Sequence, residues 1–242
     1  MENNKEEKIS GLVLIALHLV PGLLFAGVFL VLSRIFIQNG LTAYLALLIT
    51  IPACLVPVEL GMILLFRAKS TEKRSLSEMI GYCRHGTAAE YVMLPFFLFL
   101  FCGALSIAVK PLSQYIETHL PAWLPAWATQ EALVQGLVAC SPAQRTITLG
   151  LAVLISGFVA PVVEEIYFRG FLLPRMERWG WAAPVVNALL FAAYHFYFPG
   201  NVPHIFVAFL PISYFVMVRK NWRIGLIVHS AFNLMGVFSL FT

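Results

Sequence analysis

The chain has 242 residues, 60% of them hydrophobic and 12% charged, with a net charge of +4. A soluble domain carries about 25% charged residues, so the balance excludes one and points to an integral membrane protein. The excess positive charge fits membrane orientation and anionic lipid head groups rather than nucleic acid.

The N-terminal stretch MENNKEEKIS is mixed in charge. The apolar run after it is longer than a signal-peptide core and lacks a small-residue cleavage site, so it reads as a retained first span. Seven apolar runs follow one another along the chain, at 9–33, 42–66, 91–109, 146–174, 182–198, 203–218 and 224–241. A helix of about 20 apolar residues crosses a bilayer, and backbone in hydrocarbon must satisfy its own hydrogen bonds. The seven runs therefore predict an all-α, polytopic helix bundle with about seven transmembrane helices. Cys54, Cys83, Cys102 and Cys140 show no CxxC spacing and read as small apolar residues.

The basic residues set the orientation. With the N-terminus in the cytoplasm, cytoplasmic segments hold Lys5, Lys8, Arg67, Lys69, Lys73, Arg74, Arg84, Arg175, Arg178, Arg219, Lys220 and Arg223. The opposite side holds Arg34, Lys110 and Arg145, and Arg169 is left within a span. This asymmetry is a positive-inside signal. The outer segment 110–144, with Trp123 and Trp127 beside Pro121 and Pro125, predicts a strip at the membrane interface. There is no internal repeat. One membrane domain follows, with N-terminal helices and an interfacial loop over 1–145 and a second part over 146–242.

The ionisable groups inside spans carry the functional signal. Glu164, Glu165 and Arg169 lie in the fourth run, His195 in the fifth, His229 and Asn233 in the seventh. Glu165 and Arg169 are i,i+4 and predict a neutralising pair. Glu164 points about 100° away from Glu165 on a helix. It has no partner of its own, which suits a general base or acid. Behind it, Gly157 and Ala160 leave room for another helix or a substrate. Glu164 precedes the turn at Trp179–Gly180–Trp181 by 16 residues and His195 follows Gly180 by 15. In an antiparallel hairpin both lie about 23 Å from the turn, with His229 within reach of the same layer. His229 and Asn233 share a helix face, as do Phe191 and His195. His18 reads as a packing residue, His204 as near an interface, and His85 and His119 as loop residues. Glu59, just after Pro57, reads as a cap of a broken helix or as a member of the site.

The residues Glu164-Glu165-Ile-Tyr-Phe-Arg169, Phe191-Ala-Ala-Tyr-His195 and His229-Ser-Ala-Phe-Asn233 form EExxxR, FxxxH and HxxxN in order. Together they resemble the CPBP family of type II CAAX prenyl endopeptidases and their bacterial relatives linked to bacteriocin processing and immunity. The resemblance covers about 146–241 and leaves the first three spans unmatched. It implies an intramembrane endopeptidase acting on membrane-associated or CAAX-like proteins, in a bacterial inner (cytoplasmic) membrane. By that resemblance Glu164 and His195 bind and activate water, His229 and Asn233 form the oxyanion hole, and Glu165 and Arg169 support them. No cofactor is favoured. Zinc held by Glu164, His195 and His229 is the alternative, although there is no HExxH and Asn233 beside His229 resembles an oxyanion pair. A transporter or an interaction and immunity protein that keeps the motifs is the competing reading. Its expected hallmark, a repeated half, is missing. The expected partners are a peptide or membrane-protein substrate and the lipid bilayer.

Overall fold

In the computed structural model, residues 9–70, 75–119 and 125–240 are described. Lys5, Lys8, Lys73, Arg74, Pro121 and Trp123 lie outside them. The architecture is all-α. In chain order the helices are α1 (Gly11–Gln38), α2 (Ala43–Thr50), α3 (Val56–Lys69), α4 (Leu76–Met79), α5 (Ala88–Ala108) and α6 (Lys110–His119). They continue with α7 (Gln130–Ala139), α8 (Pro142–Leu154), α9 (Ala160–Glu164), α10 (Ala182–Tyr194), α11 (Val202–Arg219) and α12 (Trp222–Phe238).

Five helical stretches are long and apolar enough to cross a membrane: Gly11–Gln38, Ala43–Lys69, Ala88–Ala108, Pro142–Trp179 and Pro199–Arg219. Two shorter apolar helices, Ala182–Tyr194 and Trp222–Phe238, complete the seven predicted runs. Side chains such as Phe96, Phe97, Phe101 and Ile107 on α5 stay exposed, as expected of a helix whose solvent is lipid.

Two of these stretches, Ala43–Lys69 and Pro142–Trp179, widen locally into π-helix at three places, and each widening stands beside a proline. The π segments are Ile51–Leu55, Ile155–Val159 and Glu165–Leu172, and Pro57, Pro161 and Pro174 stand two residues past their ends. Proline has no N–H, and its ring collides with the carbonyl four residues back. Those carbonyls belong to Ala53, Gly157 and Gly170, all inside the wide turns, where the helix yields rather than breaks. Gly170 shows how the orphaned acceptor is satisfied: its carbonyl takes the N–H of Gly81 at 2.8 Å. Glu59, Glu164, Glu165 and Arg169 all lie in or just beyond these distorted turns.

The fifth run is shorter than predicted. Its helix stops at Tyr194, and the chain turns through 195–201 before α11 begins. His195 is the C-cap, the residue just past the end of α10. The interfacial strip resolves into α6, a 3₁₀ turn at Ala126–Ala128 and α7. His119 is the last residue of α6, not a loop residue. Gly180 has φ of +52°, a value L side chains rarely adopt, and so makes the hairpin turn between the fourth and fifth runs.

Candidate active site

The sequence puts Glu164 and His195 at one height, with His229 in reach of that layer and Asn233 on the same face as His229, and the structure brings all four around one cavity of about 970 Å³. Glu164 ends α9 and is buried. Its Oε1 lies 4.0 Å from His195 Nε2 and its Oε2 lies 3.5 Å from His229 Nε2. The Tyr194 hydroxyl donates to Glu164 Oε1 at 3.3 Å. Glu164 thus lacks a partner on its own helix, but gains three from other elements: Tyr194 at the end of α10, His195 just past it and His229 on α12.

The histidine tautomers follow from their second nitrogens. A carbonyl only accepts, so His195 donates from Nδ1 to Phe191 O at 2.9 Å. In the neutral ring this leaves the Nε2 lone pair facing Glu164. His229 Nδ1 lies 3.1 Å from Glu165 Oε1 and donates to it. Fixing one ring nitrogen in this way sets what the other presents to the site.

Glu165 is the hub beneath. Its Oε1 receives His229 and lies 3.2 Å from Arg169 Nη1. Both side chains of the Glu165–Arg169 pair have no exposed surface. No nitrogen of Arg169 is aligned for a hydrogen bond. Its guanidinium instead sits 4.0 Å from the centre of the Phe191 ring and 4.7 Å from that of Phe209. Charge proximity and two aromatic faces replace hydrogen bonds here. The other carboxylate oxygen of Glu165 occupies the space where a side chain at Gly225 would begin. Sequence reasoning missed Gly225, whose only signal was a glycine one helical turn before His229.

Asn233 donates from Nδ2 to Ser156 O at 2.8 Å and lines the cavity. One of its two amide hydrogens is engaged and the other is left for a ligand. The small face behind Glu164 is taken by another helix, since Leu234 of α12 fills the space beside Gly157.

A second polar chain underpins the layer. Asn187 Nδ2 lies 3.2 Å from His18 Nε2 and 3.1 Å from Phe168 O, and Ser213 Oγ donates to Asn187 Oδ1 at 3.1 Å. His18 donates from Nδ1 to Leu14 O at 2.7 Å, so it is a satisfied packing residue, as read. Asn187, Ser213 and Tyr194 were not singled out in sequence. Each is an isolated polar residue whose partner lies on another helix.

Glu59 does not cap a broken helix. It is fully buried, and neither carboxyl oxygen has a hydrogen-bond partner. It lies close enough to Glu164, Tyr194 and Arg169 to interact with all three. His204, read as interfacial, sits in the first turn of α11 and lines the cavity.

Among the described residues, no group of three or more His, Cys, Asp or Glu side chains is arranged to hold a metal ion. No step below is routed through a metal.

The family model described as Type II CAAX prenyl endopeptidase Rce1-like matches residues 146–235. No curated protein and no solved structure matches the chain. The matched segment carries Glu164, Glu165, Arg169, His195, His229 and Asn233, and it leaves α1 to α7 unmatched. Over residues 146–235 the chain is thus similar to the CAAX-type proteases that this family model describes.

Proposed function

We propose that the protein is an intramembrane endopeptidase that hydrolyses peptide bonds of membrane-associated or CAAX-like proteins with a water activated by Glu164 and His195. The observation that carries this reading is the 4.0 Å gap between Glu164 Oε1 and His195 Nε2. Two acceptors at that separation can hold one water, each taking one of its hydrogens.

The water attacks the scissile carbonyl carbon as its proton passes to Glu164. The carbon becomes tetrahedral and its oxygen becomes an oxyanion. The oxyanion is met by donors on α12: the free amide hydrogen of Asn233 and, in its protonated form, Nε2–H of His229. The tetrahedral carbon then collapses, the C–N bond breaks, and Glu164 returns its proton to the leaving amine. Glu165 and Arg169 touch no substrate and position His229.

The test uses the purified full chain in detergent, with a prenylated C-terminal peptide and a panel of unprenylated membrane peptides. The wild type cleaves at least one substrate and Glu164→Ala does not. Equal cleavage by both sinks the assignment. A chelator leaves the rate unchanged, whereas loss on chelation restored by zinc overturns the metal-free route.

A further inference from the structure

The two ends of the bundle differ in charge and in closure. One end gathers Arg67, Lys69, Arg84, Arg175, Arg178, Arg219, Lys220 and Arg223 among the described residues. That end is sealed. Gly81 N–H donates to Gly170 O at 2.8 Å, Trp222 N–H to Tyr82 O at 3.0 Å and Arg84 N–H to Lys220 O at 2.9 Å. Ile80 packs into the space beside Gly170. Arg175 spans Met79 O and Phe171 O at 3.2 and 2.6 Å. None of these residues lines the cavity.

The other end is open. From the layer of Glu164 and His195 the cavity runs to exposed Lys110, Gln114 and Glu117 on α6 and to exposed Gln130 on α7. Helix α6 rests on the turn at Pro199–Asn201, where Gly200 lies against the Glu117 side chain. The walls below this polar rim are apolar. Leu100 and Ile107 of α5 and Met235 of α12 line the cavity while also being exposed to the surroundings. The cavity walls on α5 and α12 are thus also part of the outer, lipid-facing surface, and the rim on α6 is exposed to water.

We propose that substrate enters from this basic-poor end, which the positive-inside rule places on the non-cytoplasmic side. The occupant is an extended, apolar segment of a membrane or exported protein lying in the outer half of the bilayer, its polar continuation held at the α6 rim. Reading the occupant as substrate rests on the peptidase assignment. The route itself does not.

The experiment places Ser106→Cys, on the cavity wall, in the otherwise native full chain. Exposed Cys83 serves as marker of the basic end. Spheroplasts and inside-out vesicles are treated with a bulky, membrane-impermeant maleimide, and labelled peptides are mapped by mass spectrometry. At residue 106, labelling in spheroplasts exceeds that in vesicles at least tenfold, and at Cys83 the ratio is reversed. Labelling of residue 106 only from the cytoplasmic side, or at neither face, overturns the proposal. If the variant does not accumulate, Gln114→Cys at the rim gives the same two readouts. The labelled variant then cleaves a membrane peptide at least tenfold more slowly than the same variant unlabelled. Equal rates overturn this entry route while Glu164→Ala still reports on the peptidase. Outer-side labelling with no cleavage by any chain, wild type included, sinks the peptidase reading and leaves the route standing.

Discussion

Residues 146–235 and the helices before them contribute to the same site in different ways. The C-terminal segment supplies paired, regularly spaced polar residues: Glu165 with Arg169, His229 with Asn233, and Phe191 with His195. Spacing of i,i+4 fixes which of these share a face before any tertiary contact forms. The N-terminal helices supply single residues with no spacing to read. Glu59 approaches Glu164 from α3, His18 braces Asn187 from α1, and Gly22 lets α1 approach the Tyr194 backbone at the end of α10. The comparison teaches that a motif marks the groups that must face one another along one helix. The groups that merely complete a packed layer leave no local mark.

This contrast predicts large, chemistry-specific effects in the C-terminal segment and mainly packing effects outside its motifs. The largest loss is expected for Glu164→Ala, at about 10²–10⁴ in kcat, as for removal of a general acid–base group. Its melting temperature stays near that of the wild type, and a folded variant that retains activity breaks the comparison. Arg169→Ala comes next. It strands Glu165 as a buried charge and costs about 3–5 kcal/mol, read as lost yield in the membrane and a lower melting temperature. Asn233→Ala lowers kcat by about 10²–10³ with little change in KM, the mark of a donor that acts on the transition state. Gly225→Ala drives a methyl into the Glu165 carboxylate. It costs about 1–3 kcal/mol as an overpacked site, and a gain in stability would show the contact to be slack.

Glu59→Gln sharpens the contrast from the other side and has the smallest effect. Both Glu59 oxygens lack hydrogen bonds, so the amide loses none. Turnover changes less than tenfold and the melting temperature holds or rises. A hundredfold loss would instead make Glu59 part of the chemistry and erase the division between the two regions.

Much of the fold was legible because hydrocarbon imposes few choices. Apolar runs had to become helices, since backbone in hydrocarbon must satisfy its own hydrogen bonds. The depth argument for Glu164 and His195 held because a tight turn at Gly180 makes sequence distance equal height in both arms of a hairpin. It fell short at 195–201, where the predicted span ends early: His195 lies at the end of a helix, not within one. The π turns were also hidden. Their prolines are plain in sequence, but only the packed structure shows the helix widening around the carbonyl four residues back instead of breaking.

The sequence by itself determined the helical class, the uneven spread of basic residues along the chain and the pairs along each helix. All three follow from local geometry and from transfer between water and lipid. The tertiary structure alone decided that Glu165 serves Arg169 and His229 together, that Glu59 reaches Glu164, and that the cavity opens away from the basic end. Those facts depend on contacts between helices that no periodicity encodes, because α3 and α12 pack against α9 and Tyr194 of α10 reaches Glu164, bringing together residues far apart in the chain.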